Sequence, residues 1–251
     1  MTSTSLGGPA PDVTVDTLLG GRVTLLQPAR GFRVSLDPVL LTAFVAPPFG
    51  RFLDIGCGAG AVSFLLLARD AAATGVAVEI QPAFADLAEQ GRARNGWDAR
   101  LDLRRGDVRA LALEEGAFDL VVTNPPFRPI AGGHLSPDPS RAMANHEVTL
   151  SLAEWTTVAA RAVRPGGRAA AIFPADRADE LCAALQARGL SPARLRFVHP
   201  HADRPPTRVL VEAIRGGSAP LVEGAPLIVH AATGSGERFS AEVRGMVGET
   251  S

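Results

Sequence analysis

The chain has 251 residues, of which 46% are hydrophobic, and its 26 acidic and 25 basic side chains leave a formal net charge of −1. This length suits one large α/β domain, and no apolar run approaches the ~20 residues that a membrane span needs. The N-terminus lacks the basic and apolar regions of a signal peptide, and Cys57 and Cys182 have neither disulfide-framework nor metal-ligand spacing. We therefore expect a cytoplasmic protein with no membrane partner and no metal.

The N-terminal part of the chain precedes the main alternation of strands and helices. Residues 1–12 are small, polar and Pro/Gly-bearing, and we expect a disordered tail. Residues 13–48 predict two or three short strands broken by glycines, followed by a helix that begins at Asp37-Pro38 and ends before Pro47-Pro48. Residues 49–251 are predicted to form the main domain.

From Arg51 onward strands alternate with helices, which indicates an α/β fold with a parallel sheet covered by helices. The predicted strands are RFLDIG, GVAVEI, ARLDLRRGD, FDLVVT and RAAAIFP, and the predicted helices are 61–68, 82–94, 149–163 and 176–188. Two later runs, ARLRFVHP and TRVLVEAIR, have no helix between them. Parallel strands need a crossover of a dozen or more residues, so we predict an antiparallel pair at the sheet edge.

The stretch 128–148 contains three prolines and two glycines and has no periodic pattern. A loop of this length inside a compact domain is usually functional or mobile. We therefore expect residues 128–148 to be functional or mobile.

An acidic, glycine-rich turn follows the first strand of the alternation. LDIGCGAG places Asp54 at the strand end, and the three glycines that follow let the backbone turn tightly and approach a ligand closely. Glu79 ends the next strand, where a carboxylate can accept hydrogen bonds from both hydroxyls of a ribose. Asp107 ends the third strand, where it can accept from the amino group of an adenine. Together these positions predict a nucleoside-containing cofactor.

Two cofactors are compatible with this spacing. Gly56-x-Gly58-x-x-Ala61 satisfies the permissive dinucleotide-binding pattern, which leaves an NAD-binding oxidoreductase as an alternative. A pyrophosphate, however, needs bare backbone amides, and Asp54 would repel it. The same carboxylate suits the ammonium group of a methionine moiety, so we predict S-adenosylmethionine.

The fourth strand leads directly into Asn124-Pro125-Pro126-Phe127. By sheet topology this turn faces the same crevice as the glycine turn. The prolines remove two backbone donors and leave rigid carbonyls, while Asn124 adds a side-chain oxygen. Such acceptors suit a planar NH2 group, and Phe127 offers an aromatic face on which an extruded base can stack. We predict catalytic methyl transfer to an exocyclic amino nitrogen, by orientation and electrostatic stabilisation, without a general base.

These motifs and their long flanking segments resemble a known family. DxGxGxG at 54–60, the three strand-end acids, NPPF, and the segments LLGGRVTLLQPARGFRVSLDPVLLTAFV, HEVTLSLAEWTTVAARAVRPGGRAAAIFP and PPTRVLVEAIRGG resemble the bacterial tRNA1(Val) adenine-37 N6-methyltransferases. The resemblance implies a Rossmann-like class I methyltransferase fold, with a mostly parallel seven-stranded sheet, an antiparallel edge strand and helices on both faces. Residues 49–251 would then be the S-adenosylmethionine-dependent methyltransferase domain.

The resemblance also implies a role for each motif. Asp54, Gly56, Gly58 and Gly60 would bind the methionine part of the cofactor. Glu79, with the adjacent Ile80, would bind the ribose, and Asp107 and Val108 would bind the adenine. The target amine would be bound by Asn124, Pro125, Pro126 and Phe127, and Asn124 would also lie beside the cofactor.

The substrate class is less constrained than the cofactor. tRNA is the expected partner, gripped at its phosphates by arginines of the stretches 94–109 and 188–215. Guanine N2 in ribosomal RNA and the side-chain amide of a protein glutamine are alternatives. The net charge of −1 argues neither for nor against a nucleic-acid substrate, so these alternatives remain open.

Other polar residues are given structural roles. We expect Asp37 to cap its helix, Thr149 or Ser151 to cap the helix of 149–163, and His199 and His201 to belong to the surface. His134 and His146, in or beside the long loop, are minor candidates for substrate contact and a base.

Overall fold

The structure is a computed structural model that describes residues 12–31, 33–125, 150–232 and 234–249. Its first two strands, β1 (Val13–Leu18) and β2 (Val23–Pro28), pair antiparallel through a turn in which Leu19, Gly20 and Gly21 have positive φ angles. Helix α1 (Asp37–Phe44) follows, with Pro38 in its first turn. The predicted N-terminal strands and helix are therefore confirmed.

The remaining elements build one central sheet. In chain order they are β3 (Arg51–Ile55), α2 (Ala61–Arg69), β4 (Thr74–Glu79), α3 (Pro82–Arg94), β5 (Leu101–Arg105), β6 (Phe118–Thr123), α4 (Leu152–Ala162), β7 (Val163–Pro174), a 3-10 turn (Ala175–Arg177), α5 (Ala178–Gln186), β8 (Leu190–His199), β9 (Arg208–Arg215), β10 (Val222–Glu223), β11 (Leu227–Ile228) and α6 (Ala241–Val247). The strand order is β10-β8-β9-β7-β6-β3-β4-β5, and β11 also pairs with β8.

The mostly parallel α/β sheet with an antiparallel pair is confirmed. Strands β3 to β7 run parallel, and β9 runs antiparallel to both β7 and β8. The antiparallel strand is β9, which is not the predicted edge strand because β8 pairs along its outer side. The sheet of the described residues has nine strands rather than the predicted seven, because the two-residue strands β10 and β11 also pair with β8. The connection between β8 and β9 is too short for a crossover, which forces the reversal.

Helix boundaries differ from the prediction where side chains cap the ends. Helix α4 begins at Leu152, because Ser151 and Glu154 form a reciprocal capping box, so Ser151 is the cap. The helix predicted over 176–188 divides into the 3-10 turn and α5. The expected capping role of Asp37 is wrong: the N-cap position is Leu36, and Asp37 lies in the first turn, where its carboxylate pairs with Arg208.

Two apolar clusters cover the two faces of the sheet. Successive side chains of a strand point to opposite faces, so Phe52 joins the cluster beneath α1, α2 and α3, while Leu53 and Ile55 join the cluster beneath α4 and α5. Within the described residues no helix is long and apolar enough to cross a membrane. The division at 12/13 and 48/49 stays a prediction.

Parallel topology brings the ends of β3 to β7 to one edge of the sheet, here named the carboxyl edge. Because β9 is antiparallel, its first residue lies at that edge too, with Arg208 opposite Pro174 at the end of β7. Strand β8 and its extension β11 again end there, at His199 and Ile228. Every strand end that is followed by a sequence motif therefore lies at the carboxyl edge.

Candidate active site

The glycine turn after β3 is held against the end of β4. The backbone N–H groups of Gly56 and Cys57 both donate to the carbonyl of Val78, over 2.9 and 3.0 Å. Gly58 and Gly60 have φ angles of 55° and 94°, which side-chain-bearing residues rarely adopt. A Cβ at Gly58 would meet no atom within 4 Å, so the turn presents bare backbone on that side.

Asp54 is buried beneath this turn and has one oxygen still to be satisfied. Its Oδ2 accepts hydrogen bonds from the Ser63 hydroxyl at 2.7 Å and the Ser63 backbone N–H at 3.1 Å. Its Oδ1 is buried and meets no hydrogen-bond donor among the described residues. Burial raises the pKa of Asp54 to about 7, and the nearby negative charge of Glu79 adds to the rise. A buried carboxylate with an unsatisfied oxygen is a site for a cationic ligand group.

Glu79 connects the turn to the second strand. Its Oε2 accepts from the N–H of Gly58 and its Oε1 from the N–H of Gln81, each at 2.8 Å. The backbone carbonyl of Glu79 also accepts from Gly106 at 2.9 Å, which ties the end of β5 to the end of β4. The structure therefore brings the first two predicted acids together and orients the carboxylate of Glu79 by backbone donors.

Asp107 lies one strand further along, with a side chain that Arg109 holds. The Arg109 guanidinium donates to both carboxylate oxygens over 2.5 to 3.0 Å, and these hydrogen bonds lower the pKa of Asp107. The next residue, Val108, is buried, whereas Ile80 is 38% exposed. An exposed apolar side chain directly after Glu79 is a surface on which an adenine ring can pack.

Arg109 links this acid to the helix after β6. Its Nη1 donates to Glu154 at 2.6 Å, and Glu154 in turn accepts from the hydroxyl and N–H of Ser151. The Ser151 hydrogen bonds, together with Arg109, lower the pKa of Glu154 to about 2. Sequence reasoning missed Glu154 and Ser63, and it considered Arg109 only among the arginines expected to grip phosphates. The spacing Ser-x-x-Glu predicts the capping box, but no local signal reveals either Arg109 bridge or the Ser63–Asp54 contact.

Asn124 lies beside the glycine turn because of strand register. Ile55 of β3 is opposite Thr123 of β6, and the Thr123 hydroxyl donates to the Ile55 carbonyl at 2.9 Å. The residues that follow, Gly56 and Asn124, therefore leave the sheet side by side. Asn124 is half-buried and Pro125 is buried. Pro126 and Phe127 lie outside the described residues, as do His134 and His146.

Most arginines of the two basic stretches are already paired. Ion pairs or side-chain hydrogen bonds hold Arg100, Arg104, Arg105, Arg109, Arg188, Arg194, Arg196, Arg208 and Arg215. Within the described part of the chain, the side chains of Arg94 and Arg204 have no such partner. Of the arginines expected to bind phosphates, only these few therefore have side chains that are not already held by another group of the described residues.

Cys57 lies within the glycine turn, between Gly56 and Gly58. It is buried, and its surroundings raise the pKa of the thiol well above the ordinary value. Its backbone N–H, by contrast, helps to hold the turn. Cys57 therefore contributes to the turn through its backbone.

The donors and acceptors at the carboxyl edge fit S-adenosylmethionine. The unsatisfied oxygen of Asp54 suits its ammonium group, and the bare backbone at Gly58 admits a ligand that a side chain would exclude. A pyrophosphate would meet two buried carboxyl groups, Asp54 and Glu79, which is unfavourable for an anion. The site therefore fits the methyl donor better than a dinucleotide.

The fold and this site define the class: the chain has the architecture of a class I methyltransferase. The profile of the methyltransferase small domain family matches residues 37–145. A solved structure of a predicted O-methyltransferase from Agrobacterium tumefaciens is similar with a TM-score of 0.67 and 26% identity, covering 85% of this chain and 96% of that one. A geranyl diphosphate C-methyltransferase from Streptomyces coelicolor, with 16% identity and a TM-score of 0.53 over 71% of this chain and 78% of its own, shares the fold alone.

Curated relatives identify the family. A tRNA1(Val) (adenine(37)-N6)-methyltransferase from Porphyromonas gingivalis is 33% identical over 226 residues, which is 85% of this chain and 87% of the relative. A protein of the same name from Vibrio campbellii is 28% identical over 84% of this chain and 86% of its own length. The chain belongs to the tRNA1(Val) (adenine(37)-N6)-methyltransferase family. This membership confirms the resemblance and sets aside the oxidoreductase alternative.

Proposed function

We propose that the protein transfers the methyl group of S-adenosylmethionine to the exocyclic N6 of an adenine in tRNA. The observation that carries this proposal is the register of β3 and β6, which puts Asn124 next to the acid–glycine turn. Family membership supports adenine in tRNA over the two other amino acceptors, because the relatives are named for that reaction. No described contact favours guanine N2 or glutamine.

We assign the cofactor to the residues gathered at the carboxyl edge. Oδ1 of Asp54 binds the ammonium group of the methionine part, whose chain passes over the backbone of Gly56, Gly58 and Gly60. Glu79 binds the ribose hydroxyls.

The adenine of the cofactor is assigned to the neighbouring strand ends. It packs between Ile80 and Val108, and Asp107 accepts from its amino group. The sulfonium of the bound cofactor supplies the methyl group.

The protein's contribution to the transfer is orientation. The side-chain oxygen of Asn124 and the carbonyl of Pro125 accept the two hydrogens of the target amine, which holds the nitrogen lone pair toward the methyl group. The same acceptors stabilise the positive charge that develops on nitrogen. The methylated nitrogen is then acidic and releases its proton without a dedicated base. We propose that Pro126 and Phe127 also contribute to binding the target amine, with Phe127 stacking on the target base.

The substrate is tested by labelling. Purified protein is incubated with tritiated S-adenosylmethionine and, separately, unmodified tRNA, ribosomal RNA and total protein, and each product is digested to nucleosides or amino acids. We expect label in N6-methyladenosine from tRNA. Label in N2-methylguanosine from ribosomal RNA, or in protein that survives nuclease, would replace the proposed substrate by one of its two alternatives.

We propose the cytoplasm as the site of this reaction. Two observations support it: the relatives are named for a tRNA substrate, and both cysteines are free. Fractionation of cells that express a tagged copy would test this, and recovery of the tagged protein in the membrane fraction would contradict it.

A further inference from the structure

A stack of three rings lies at the carboxyl edge, on the opposite side of β6 from the cofactor turn. The ring centroids of His201 and His230 are 4.9 Å apart with planes inclined by 28°, and those of His230 and Phe239 are 5.9 Å apart with planes inclined by 18°. His201 is exposed, whereas His230 and Phe239 are half-buried. We call these three residues the ring stack. It leaves the outermost ring, His201, accessible to a ligand.

Backbone hydrogen bonds hold the ring stack in place. The chain beyond β11 continues along β8, so that the N–H of His230 donates to the carbonyl of Pro200 at 2.9 Å. His230 and Phe239 face each other across an antiparallel bridge. The Nδ1 of His230 donates to the Arg238 carbonyl at 3.1 Å, which also fixes the ring. The stack is therefore a pre-organised surface rather than a chance contact of mobile side chains.

Cationic side chains lie next to the rings. The guanidinium of Arg238 lies 4.8 Å from the ring centroid of Phe239. Arg204 is in the same turn as His201, where its backbone N–H donates to the His201 carbonyl at 3.1 Å and its own carbonyl accepts from His199. Neither arginine has an ion-pair partner among the described residues. Asp203 lies in the same turn as Arg204, and Glu237, which precedes Arg238, is neutralised by an ion pair with Arg244 at 2.7 Å. The neighbourhood of the ring stack thus carries net positive charge.

The position of the stack relative to Asn124 suits a polymer substrate. From β6 the sheet continues through β7 and β9 to β8, which is three strand spacings or ~14 Å. At the ~3.4 Å per nucleotide of a stacked strand this corresponds to roughly four nucleotides, and a more extended single strand spans it with fewer. The cofactor residues lie on β3, β4 and β5, so the β8 side of Asn124 is the side from which a substrate can approach.

Stacked aromatic rings beside unpaired arginines bind single-stranded nucleic acid in many proteins, because every base has a π-face and every linkage a phosphate. A metal site is the other chemistry that clustered histidines suggest. Among the described residues, however, no group of three His, Cys, Asp or Glu side chains is arranged to hold a metal ion.

We propose that His201, supported by His230 and Phe239, is a stacking platform for an unpaired base of the RNA substrate, a few nucleotides from the target adenine, and that Arg204 and Arg238 bind the adjoining phosphates. The platform rests on the proposed RNA substrate and extends it to a defined surface. It selects RNA in which the target adenine lies in a single-stranded segment, since a paired neighbour has no free face to stack.

The test measures equilibrium binding of unmodified tRNA to the full chain in the presence of S-adenosylhomocysteine. Stacking of ~1–3 kcal/mol per base predicts that His201→Ala weakens tRNA binding by roughly 5- to 150-fold, whereas His201→Phe keeps it within about twofold. Arg204→Ala makes the negative slope of log affinity against log salt shallower by about 0.7, the value for one lost contact to a single strand, and His201→Ala leaves that slope unchanged. Arg161→Ala is the matched control. Arg161 is exposed near the end of α4, beside the strand starts, and therefore lies at the end of the strands opposite the carboxyl edge.

The outcomes separate the platform from the function on which it rests. Wild-type protein that methylates tRNA, together with unchanged tRNA affinity in His201→Ala, would overturn the platform alone. Wild-type protein that neither binds nor methylates tRNA would overturn the proposed function and the platform with it. Unchanged binding of S-adenosylhomocysteine and an unchanged melting temperature in His201→Ala would establish that a loss of tRNA affinity is not a loss of fold.

Discussion

The Oε2 atom of Glu79 accepts a hydrogen bond from the backbone N–H of Gly58 over 2.8 Å, so the acid at the end of β4 holds the glycine turn at the end of β3. One side chain thereby orders the loop proposed for the methionine part of the cofactor while facing the site proposed for the ribose. The burial of Glu79 beside Asp54 also couples the two carboxyl groups electrostatically.

Glu79→Gln is expected to weaken S-adenosylmethionine binding by tenfold or more. Glutamine keeps the shape, but its NH2 end donates and does not accept, so one of the two positions that accept in Glu79 can no longer receive a hydrogen bond from the ribose or from a backbone N–H. Removal of the negative charge also lowers the pKa of Asp54. Calorimetric titration with S-adenosylhomocysteine at several pH values measures both effects. Wild-type affinity in Glu79→Gln would place the ribose elsewhere.

Cofactor affinity is expected to rise with pH through about 7. Burial raises the pKa of Asp54 to about 7 in the cofactor-free protein, and an ammonium group bound at Oδ1 requires the ionised carboxylate. Below that pH a proton must first leave, so the affinity for S-adenosylmethionine at pH 6 should be roughly five- to tenfold weaker than at pH 7.5, with proton release on binding. Titration in buffers of different ionisation enthalpy measures the released proton.

Asp54→Asn is the control for this pH dependence. It keeps an acceptor for Ser63 but has no charge to offer the ammonium group, so the cofactor affinity is low and does not change between pH 6 and 7.5.

The raised pKa of Asp54 also predicts how the stability of the fold changes with pH. A carboxyl whose folded pKa exceeds its unfolded value of ~3.9 favours folding at acidic pH, and that contribution is lost as the pH rises to about 7. A wild-type protein with no such loss relative to Asp54→Asn would contradict the assignment.

Asn124→Ala is expected to abolish methyl transfer, with at least a hundredfold loss of kcat and little change in cofactor affinity. The side chain leaves the sheet beside Gly56, but the proposed cofactor contacts at Asp54 and Glu79 remain. Single-turnover assays with tRNA, together with S-adenosylhomocysteine titration, separate the two properties. An active Asn124→Ala enzyme would mean that another group positions the amine.

Gly60→Ala is expected to destabilise the fold far more than Gly96→Ala. Both glycines have positive φ angles, 94° and 70°, so both substitutions carry backbone strain. A Cβ at Gly60 would also lie 2.6 Å from the Phe64 ring, while one at Gly96 meets nothing within 4 Å. Overpacking of this kind costs ~1–3 kcal/mol in addition. Urea denaturation measures the difference, and Phe64→Leu should recover part of it if the ring is the cause.

Much of the site was predictable because its motifs are local. Asp54 and Glu79 lie at the ends of β3 and β4, and Asp107 follows the end of β5 by two residues rather than ending that strand as predicted. Parallel topology necessarily brings such ends to one edge. Asn124 follows the same rule. These inferences needed only the periodicity of the chain and the parallel course of strands that are joined by helices.

The sequence by itself therefore determined the fold class, the acid–glycine turn and the family to which the chain belongs. The tertiary structure decided which polar groups are paired: Ser63 on Asp54, Arg109 between Asp107 and Glu154, and Glu79 on Gly58. It also decided that His201, His230 and Phe239 stack, although they are spread over 39 positions of the chain. The reason is that local periodicity sets where strands and turns occur, whereas contacts between distant side chains depend on strand order and register, which one sequence does not display.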